Sequence, residues 1–412
     1  MVDASSLLSA KLLSAEAVRE RAHRMLALGL DDRLPHFRIA LAKLDVVAEL
    51  VLAVTREAYP SGDVPFHSRW RHFVVAGEDR WAALAGKVSW PNAAARARAE
   101  FDLAIVSVLL DAGAGAAWRY HDAVSGARIG RSEGLALASL DMFASGAFSA
   151  DANDRLRADA AKLAQLTVAD LERGFQVAAE NPLVGLEGRT DLLRRLGDLI
   201  AGKPDIFAQK DRARPGGLFD RLAARAQGGR IDAPAVLSEV LLQLGPIWPS
   251  RITLDGVALG DCWRHPALVT GDATSGLVPL HKLSQWLSYS LIEPLQRAGL
   301  VVDDIDGLTG LAEYRNGGLF VDGGVLVLRD AEEAMRAHAV DSTLVVEWRA
   351  LTVALLDRLA EVIRQRLNQD AERLPLAKIL EGGSWAAGRK LAFERRPDGS
   401  PPIKVISDGT VF

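Results

Sequence analysis

The residues with the most chemistry lie in clusters far apart in the chain. Residues 65–73 read Pro-Phe-His-Ser-Arg-Trp-Arg-His-Phe, placing His67, Arg69, Arg71 and His72 among three aromatic rings. Guanidinium forks hold phosphate or carboxylate groups bidentately, and aromatic faces flank planar ones. The plainer alternative is a loop pinned to acidic helix faces by ion pairs. His67 and His72 are five positions apart and have no acid beside them, so the pattern does not favour a metal pair. Asp111 leaves an apolar helix for the turn Ala-Gly-Ala-Gly, where burial and neighbours would set its proton affinity. A capping or network role accounts for it as well. No Gly-Lys-Ser/Thr follows, so this is not a triphosphate loop. Arg131, Ser132 and Glu133 then open an apolar helix, with Ser132 placed as its cap.

Further along, Lys282, Gln285 and Tyr289 recur at three- and four-residue steps, which puts them on one helix face. About 25 residues later Glu313-Tyr314-Arg315 sits between an apolar turn and a glycine pair. Glu313 is the best general acid/base candidate: burial raises a carboxyl's proton affinity, while Arg315 opposes that shift. A structural Glu–Arg pair under a packed tyrosine is the competing account. In the tail, residues 381–389 and 407–412 are rich in glycine and suggest a docked segment built of turns. Ser384 lacks the Gly-x-Ser-x-Gly elbow of a nucleophile.

These clusters need elements to hold them, and the dominant period is helical. Leu344, Trp348, Leu351, Leu355, Leu359 and Val362 predict a helix over 342–367, and similar patterns cover 38–57, 93–111, 234–244 and 282–296. Thr167 with Asp170 forms a capping box, and Asp232 ahead of Pro234 marks another helix start. Hairpins are expected at 252–259, 318–328 and 403–412, each around an Asp-Gly turn. The expectation is therefore a mainly α protein with a few short β-hairpins. It forms one enlarged helical unit over 1–412, or two lobes of about 1–200 and 218–412 joined by a flexible loop near 202–217.

Composition narrows the function classes. With 49 basic and 53 acidic side chains the formal net charge is −4, which does not suit a polycation for coating nucleic acid or anionic membrane. The lone Cys262 removes a disulfide framework and a thiolate zinc site. The apolar run 103–110 is far shorter than the ~18 residues that span a bilayer, and residues 1–6 lack a secretory signal pattern. A cytoplasmic setting is expected.

Taken together, the strings 67–73, 107–115, 131–136, 181–189, 281–286, 313–318, 347–352 and 407–412 resemble the uracil-catabolism protein 4 family over nearly the whole chain. That resemblance implies cleavage of a ribosylurea-type intermediate, late in a route that opens the uracil ring and releases urea. A more distant likeness is to the queuosine-salvage N-glycosidases, helical proteins of DNA-glycosylase-like fold. Their Tyr-Lys-Arg-Ala-Gln-like helix start and Asp-Tyr-Arg motif are similar to His281-Lys282-Leu283-Ser284-Gln285 and Glu313-Tyr314-Arg315. Lys282, Gln285, Tyr314 and Arg315 match, while Glu313 stands where that motif has aspartate. A multi-helix DNA-glycosylase-like architecture is the fold this implies.

The expected activity is N-ribosyl hydrolysis of a ribosylurea or a ring-opened uridine nucleotide. Breaking an N-glycosidic bond builds positive charge on the sugar, so a fixed carboxylate can stabilise it and polarise water. Glu313 and Asp111 are the catalytic candidates. His67, Arg69, Arg71, His72, Arg131, Glu133, Lys282, Gln285, Tyr314 and Arg315 are candidates for binding substrate, the arginines for a 5′-phosphate. Water and protein groups suffice for this chemistry, with no cofactor or metal. The partner expected is a small ribosyl or ribose-phosphate molecule, with no nucleic acid and no membrane. An amidohydrolase acting on the open-chain ureide, or a non-catalytic nucleotide- or nucleic-acid-binding regulator, are the alternatives.

Overall fold

The computed structural model describes residues 4–111, 113–115, 117–209, 212–248, 251–254 and 256–406. Two helices buried along most of their length organise the fold. Ala93–Leu109 starts where the Asn92 side chain accepts from Ala95 N, and is buried without a break from Ala99 to Leu109. Thr343–Leu367 starts at a Ser342 cap and stops at Asn368, whose left-handed φ of 51° ends it. A helix buried on every face must be packed on every face, and its buried charges, Glu100 and Asp102 in the first and Glu347 and Arg349 in the second, need partners inside. Arg131–Ser145, Gly217–Arg225 and Lys282–Arg297 pack around the first, and Ala15–Leu30, Leu44–Ala58 and Tyr314–Asp322 around the second. One continuous apolar core runs from Leu13 to Ile403.

The fold is mainly α, and among the described residues the strands form two-stranded pairs. The helices expected over 93–111, 234–244, 282–296 and 342–367 form within a residue or two of those bounds. The 38–57 pattern divides into the strand Phe37–Ile39 and the helix Leu44–Ala58. Thr167 and Asp170 make both bonds of their capping box. The hairpin around Gly256 forms, Thr253–Leu254 pairing with Val257–Ala258, while its turn residue Asp255 lies outside the described residues.

Two other hairpin expectations are corrected. Over 318–328 the first arm is the helix Tyr314–Asp322, and the second, Leu326–Leu328, pairs with Phe37–Ile39. Glu313 caps that helix, and Gly323-Gly324 closes it, with φ 73° at Gly324. What reads as an Asp-Gly hairpin turn is therefore a helix C-terminus. Of 403–412, Lys404–Ile406 pairs in parallel with the distant Ala337–Ala339, and residues 407–412 lie outside the described residues.

The glycines of 381–389 also belong to helix rather than to turns. Leu376–Ile379 passes through a wide π turn, Leu380–Ser384, into Trp385–Arg395. Their role is close approach: a Cβ at Gly383 would lie 2.5 Å from the Val51 carbonyl oxygen, and one at Gly388 2.2 Å from that of Arg315. Near 202–217 the chain forms the short helix Pro204–Phe207 and a strand pair, and buried Arg214 is tied to buried Asp102 at 2.5 Å. Among the described residues no helix is long and apolar enough to cross a membrane.

The tight seam at Gly388 leads to a test. Gly388→Ala should lower stability by roughly 1–3 kcal/mol through overpacking, read as a lower urea midpoint at unchanged slope. An unchanged midpoint would show that the seam yields.

Candidate active site

Three helix starts and one helix end bring their charged side chains into one half-buried cluster, the candidate cleft. Asp111 follows the end of Ala93–Leu109, and Arg131–Ser145, Lys282–Arg297 and Tyr314–Asp322 begin there. Helix N-termini carry unsatisfied N–H groups and partial positive charge. Two of the three are satisfied by acids. Asp261 accepts from Lys282 N at 2.9 Å, and Glu313 accepts from Arg315 N and Asn316 N, both at 2.6 Å. The third helix has Gly130 at its cap and no side-chain cap. Arg131 and His281, which introduce two of these starts, hold left-handed backbone with φ of 57° and 47°. Such conformations cost of order 1–3 kcal/mol and persist where the surroundings over-determine them.

Glu313 is 8% exposed. Burial pushes its carboxyl up to about 7, against the Asn316 N–H and the charges of Lys282 and His67, which pull it down. Lys282 is shifted the other way: burial lowers its proton affinity, while Glu313 and Asp111 resist. Lys282 therefore stands within the fields of both candidate carboxylates.

One buried fork holds this half of the cleft. Arg349, from the second turn of Thr343–Leu367, meets Asp261 through two bonds of 2.8 Å, and its Nε donates to Ala312 O at 3.1 Å. Ala312 precedes Glu313, and Asp261 holds the start of the Lys282 helix. Burial alone would raise the Asp261 carboxyl, but Arg349 holds it below its usual value. Gln285 brackets the same loop, donating to Thr309 Oγ1 at 2.6 Å and accepting from Thr309 N at 3.2 Å. Tyr289 adds a bond to Thr309 O at 3.0 Å.

The opposite wall is built on Arg69, fully buried in the turn Arg69–Phe73. It donates to Ser107 Oγ at 2.7 Å and pairs with Asp111 at 2.9 Å. Ser132 donates to the same Asp111 oxygen at 2.6 Å. Ser132 is thus not the helix cap its position suggests, because Gly130 takes that place and the hydroxyl turns to Asp111. His72 Nδ1 lies 3.2 Å from Arg69 Nη1. Burial, Arg69 and His67 push His72 down to about 3, so it is neutral at physiological pH.

Between the walls His67 and His72 stand beside the Trp286 ring, with centroids 4.5 and 5.6 Å away. Glu381, at the π turn, accepts from His67 Nδ1 at 2.7 Å and from the Tyr59 hydroxyl at 2.9 Å. The outer rim carries Tyr314, Arg131 over the Phe393 ring, and Glu133 paired with Arg389 at 3.2 Å. Tyr314 is raised to about 12 by burial, with Glu313 adding to the shift.

Nine of the residues singled out from sequence therefore lie around this cleft: Asp111, Glu313, His67, Arg69, His72, Arg131, Glu133, Lys282 and Tyr314. Three others point elsewhere. Arg71 pairs with Glu293 at 2.6 Å, Gln285 is spent on Thr309, and Arg315 donates to Gly399 O at 2.9 Å under the Tyr314 ring. Glu381 and Trp286 were not picked out for roles. An acid before Gly382-Gly383 in a helical segment was the available signal, since glycines there let Glu381 sit close to the Leu44–Ala58 helix. Ser384 is buried and donates to Asn316 Oδ1 at 2.8 Å. Cys262 is buried, its thiol pushed up to about 12 by burial, which makes it a poor nucleophile. Among the described residues no three His, Cys, Asp or Glu side chains converge as a metal site.

The fold and cleft describe a helical protein that gathers two carboxylates, a lysine and two histidines from distant segments. The family described as "Protein of unknown function (DUF1688)" matches residues 11–412, and the chain belongs to it. It is 40% identical over 415 residues to Protein urg3 of Schizosaccharomyces pombe, covering 98% of each chain. It is 37% identical over 419 residues to Uracil catabolism protein 4 of Lachancea kluyveri, covering 93% of each. The resemblance read from the motif strings is thus that of a member to its family.

Two measurements check the architecture. Arg349→Leu strands Asp261 as a buried lone charge and should cost about 3–5 kcal/mol in urea unfolding; a cost below about 1 kcal/mol would remove the fork from this role. Glu313 holds its proton more tightly folded, at about 7, than at its ordinary 4.5. Its contribution is fully present below pH 4.5 and lost as pH rises through 7. Glu313→Gln should flatten that fall in stability, on the order of 3 kcal/mol across the window. An unchanged slope would refute the raised value.

Proposed function

We propose that this protein acts in uracil catabolism as an N-ribosyl hydrolase on a ribosylurea or a ring-opened uridine nucleotide. The observation that carries the reading is the pairing of two differently housed carboxylates around one cleft. Asp111 is a charge-assisted acceptor held by Arg69 and Ser132. Glu313 is buried and changes protonation near neutrality. Carboxyl groups set apart by their surroundings are the usual means of dividing charge stabilisation from proton transfer. The name of the Lachancea kluyveri relative, Uracil catabolism protein 4, supports the metabolic setting.

In this mechanism the bond from the sugar's anomeric carbon to the ureido nitrogen breaks as a water oxygen joins that carbon. Asp111 faces the positive charge that grows on the ribosyl ring. Glu313 takes a proton from the attacking water, and its two backbone N–H bonds fix the carboxylate while it does so. Trp286 and Tyr314 offer flat surfaces to the sugar and ureido group. Arg131 and Arg389, half-exposed at the rim beside an uncapped helix start, suit a 5′-phosphate.

Purified protein incubated with ribosylurea and its 5′-phosphate should release free urea and a reducing sugar. Glu313→Gln should reduce kcat by roughly 10²–10⁴-fold. Ammonia release without a free sugar would instead support the amidohydrolase. Unchanged turnover in Glu313→Gln would remove that residue from the chemistry.

A further inference from the structure

Departure of a ureido nitrogen requires a proton, and the cleft holds three candidate donors: Asp111, Lys282 and His67. Asp111 is already an acceptor of Arg69 and Ser132. Burial lowers the proton affinity of Lys282, and its ammonium has no hydrogen-bonded partner among the described residues to aim it. His67 differs in having a dedicated partner on its far side. Its Nδ1 meets Glu381 Oε2 at 2.7 Å, and Glu381 Oε1 is held at 2.9 Å by the Tyr59 hydroxyl. Burial would raise the Glu381 carboxyl, but the His67 and Tyr59 bonds hold it below its usual value, so it is a carboxylate that accepts. That fixes the proton on Nδ1 and leaves Nε2 to carry the second one. Nε2 has no hydrogen-bond partner among the described residues, yet it is not sealed from solvent. The ring is clamped against Trp286, at 4.5 Å between centroids, which restricts its rotation. Glu313 lies close enough for His67's charge to pull its carboxyl downward. His72, the other imidazole of the cleft, is spent on Arg69 and held neutral.

We infer that His67 is the general acid that delivers a proton from Nε2 to the leaving ureido nitrogen, with Glu381 and Tyr59 as its positioning residues. This rests on the N-ribosyl hydrolase reading and completes its proton balance. Water gives one proton to Glu313 and its oxygen to the anomeric carbon. The carbon–nitrogen bond pair stays on nitrogen, which takes the His67 proton. Solvent then returns a proton to His67 and removes one from Glu313. The carboxylate–histidine arrangement does here what it does in other sites: it orients the ring, selects the tautomer and offsets the charge of the imidazolium.

Two substrates with different leaving groups test the inference. A ureido nitrogen must be protonated to leave, whereas p-nitrophenolate leaves unaided. His67→Ala should lower kcat/KM on ribosylurea by roughly 10²–10⁴-fold and on p-nitrophenyl β-D-ribofuranoside by less than about tenfold. Glu381→Gln keeps an acceptor for Nδ1 but removes the charge, so it should show the same selective loss at smaller size. A melting temperature near that of the parent would show that each variant is folded, and the ratio between substrates corrects for any shared loss. Equal losses on both substrates would overturn the role of His67. Failure of the parent protein to cleave either one would instead overturn the hydrolase reading, and this inference with it.

Discussion

The buried fork between Arg349 and Asp261 is the constraint on which the rest of the cleft depends. Two charges taken out of water recover their desolvation cost only with good geometry and full hydrogen bonding. Here Asp261 is satisfied by Arg349, the Lys282 amide and Trp263, whose Nε1 lies 2.5 Å away, while the Arg349 Nε goes to Ala312 O. These partners belong to a strand approach, a helix start, a loop and the second turn of the helix Thr343–Leu367. A shift in any one of them disturbs a buried charge, so the spacing between Lys282 and Glu313 is set by this ion pair together with the Gln285 and Tyr289 bonds to Thr309. A well-packed apolar replacement could match its stability without fixing that spacing.

A second pattern follows from helix ends. Each helix opening on the cleft brings N–H groups that need acceptors, and two find them in acids that also serve the site. Glu313 is both a cap and a buried carboxyl: the cap bonds favour its charge, and burial opposes it. Asp111 on the other wall is tied to Arg69 and Ser132. One acid is thereby left close to a change of protonation and the other is committed as an acceptor. The overall charge of −4 says nothing of this, because the cleft carries Arg69, Arg131, Lys282 and Arg389 against Asp111, Glu133, Glu313 and Glu381. The balance is local and paired.

Much of the architecture was legible from pattern. Helical periodicity located the major helices because a buried stripe must repeat with the helix turn, and the Thr167–Asp170 box forms because its bonds are local. Errors arose where one residue type serves two geometries. Asp322-Gly323-Gly324 suits a hairpin turn and a helix end equally well, and the distant Glu313 cap and the Trp348 contact at Gly317 decide between them. The glycines at 383 and 388 read as turns because nothing local reveals that a Cβ there would lie within 3 Å of another backbone.

The site divides along the same line. Residue type by itself marked Glu313, Asp111, Lys282, His67, His72 and Arg69 as capable of chemistry, and motif order identified the family, since both are properties of the chain written in one dimension. Contacts between residues hundreds of positions apart required the folded form. Gln285 and Arg315 are as polar as Lys282 and Tyr314, yet the fold spends them on Thr309 and Gly399. Glu381 lies 314 positions from His67 and is brought to it only by a π turn packed on the Leu44–Ala58 helix. The sequence determined which groups exist, because that is a matter of composition and local period. Which of them face one another, and with what proton affinity, was decided by burial and partner choice, which exist only in three dimensions.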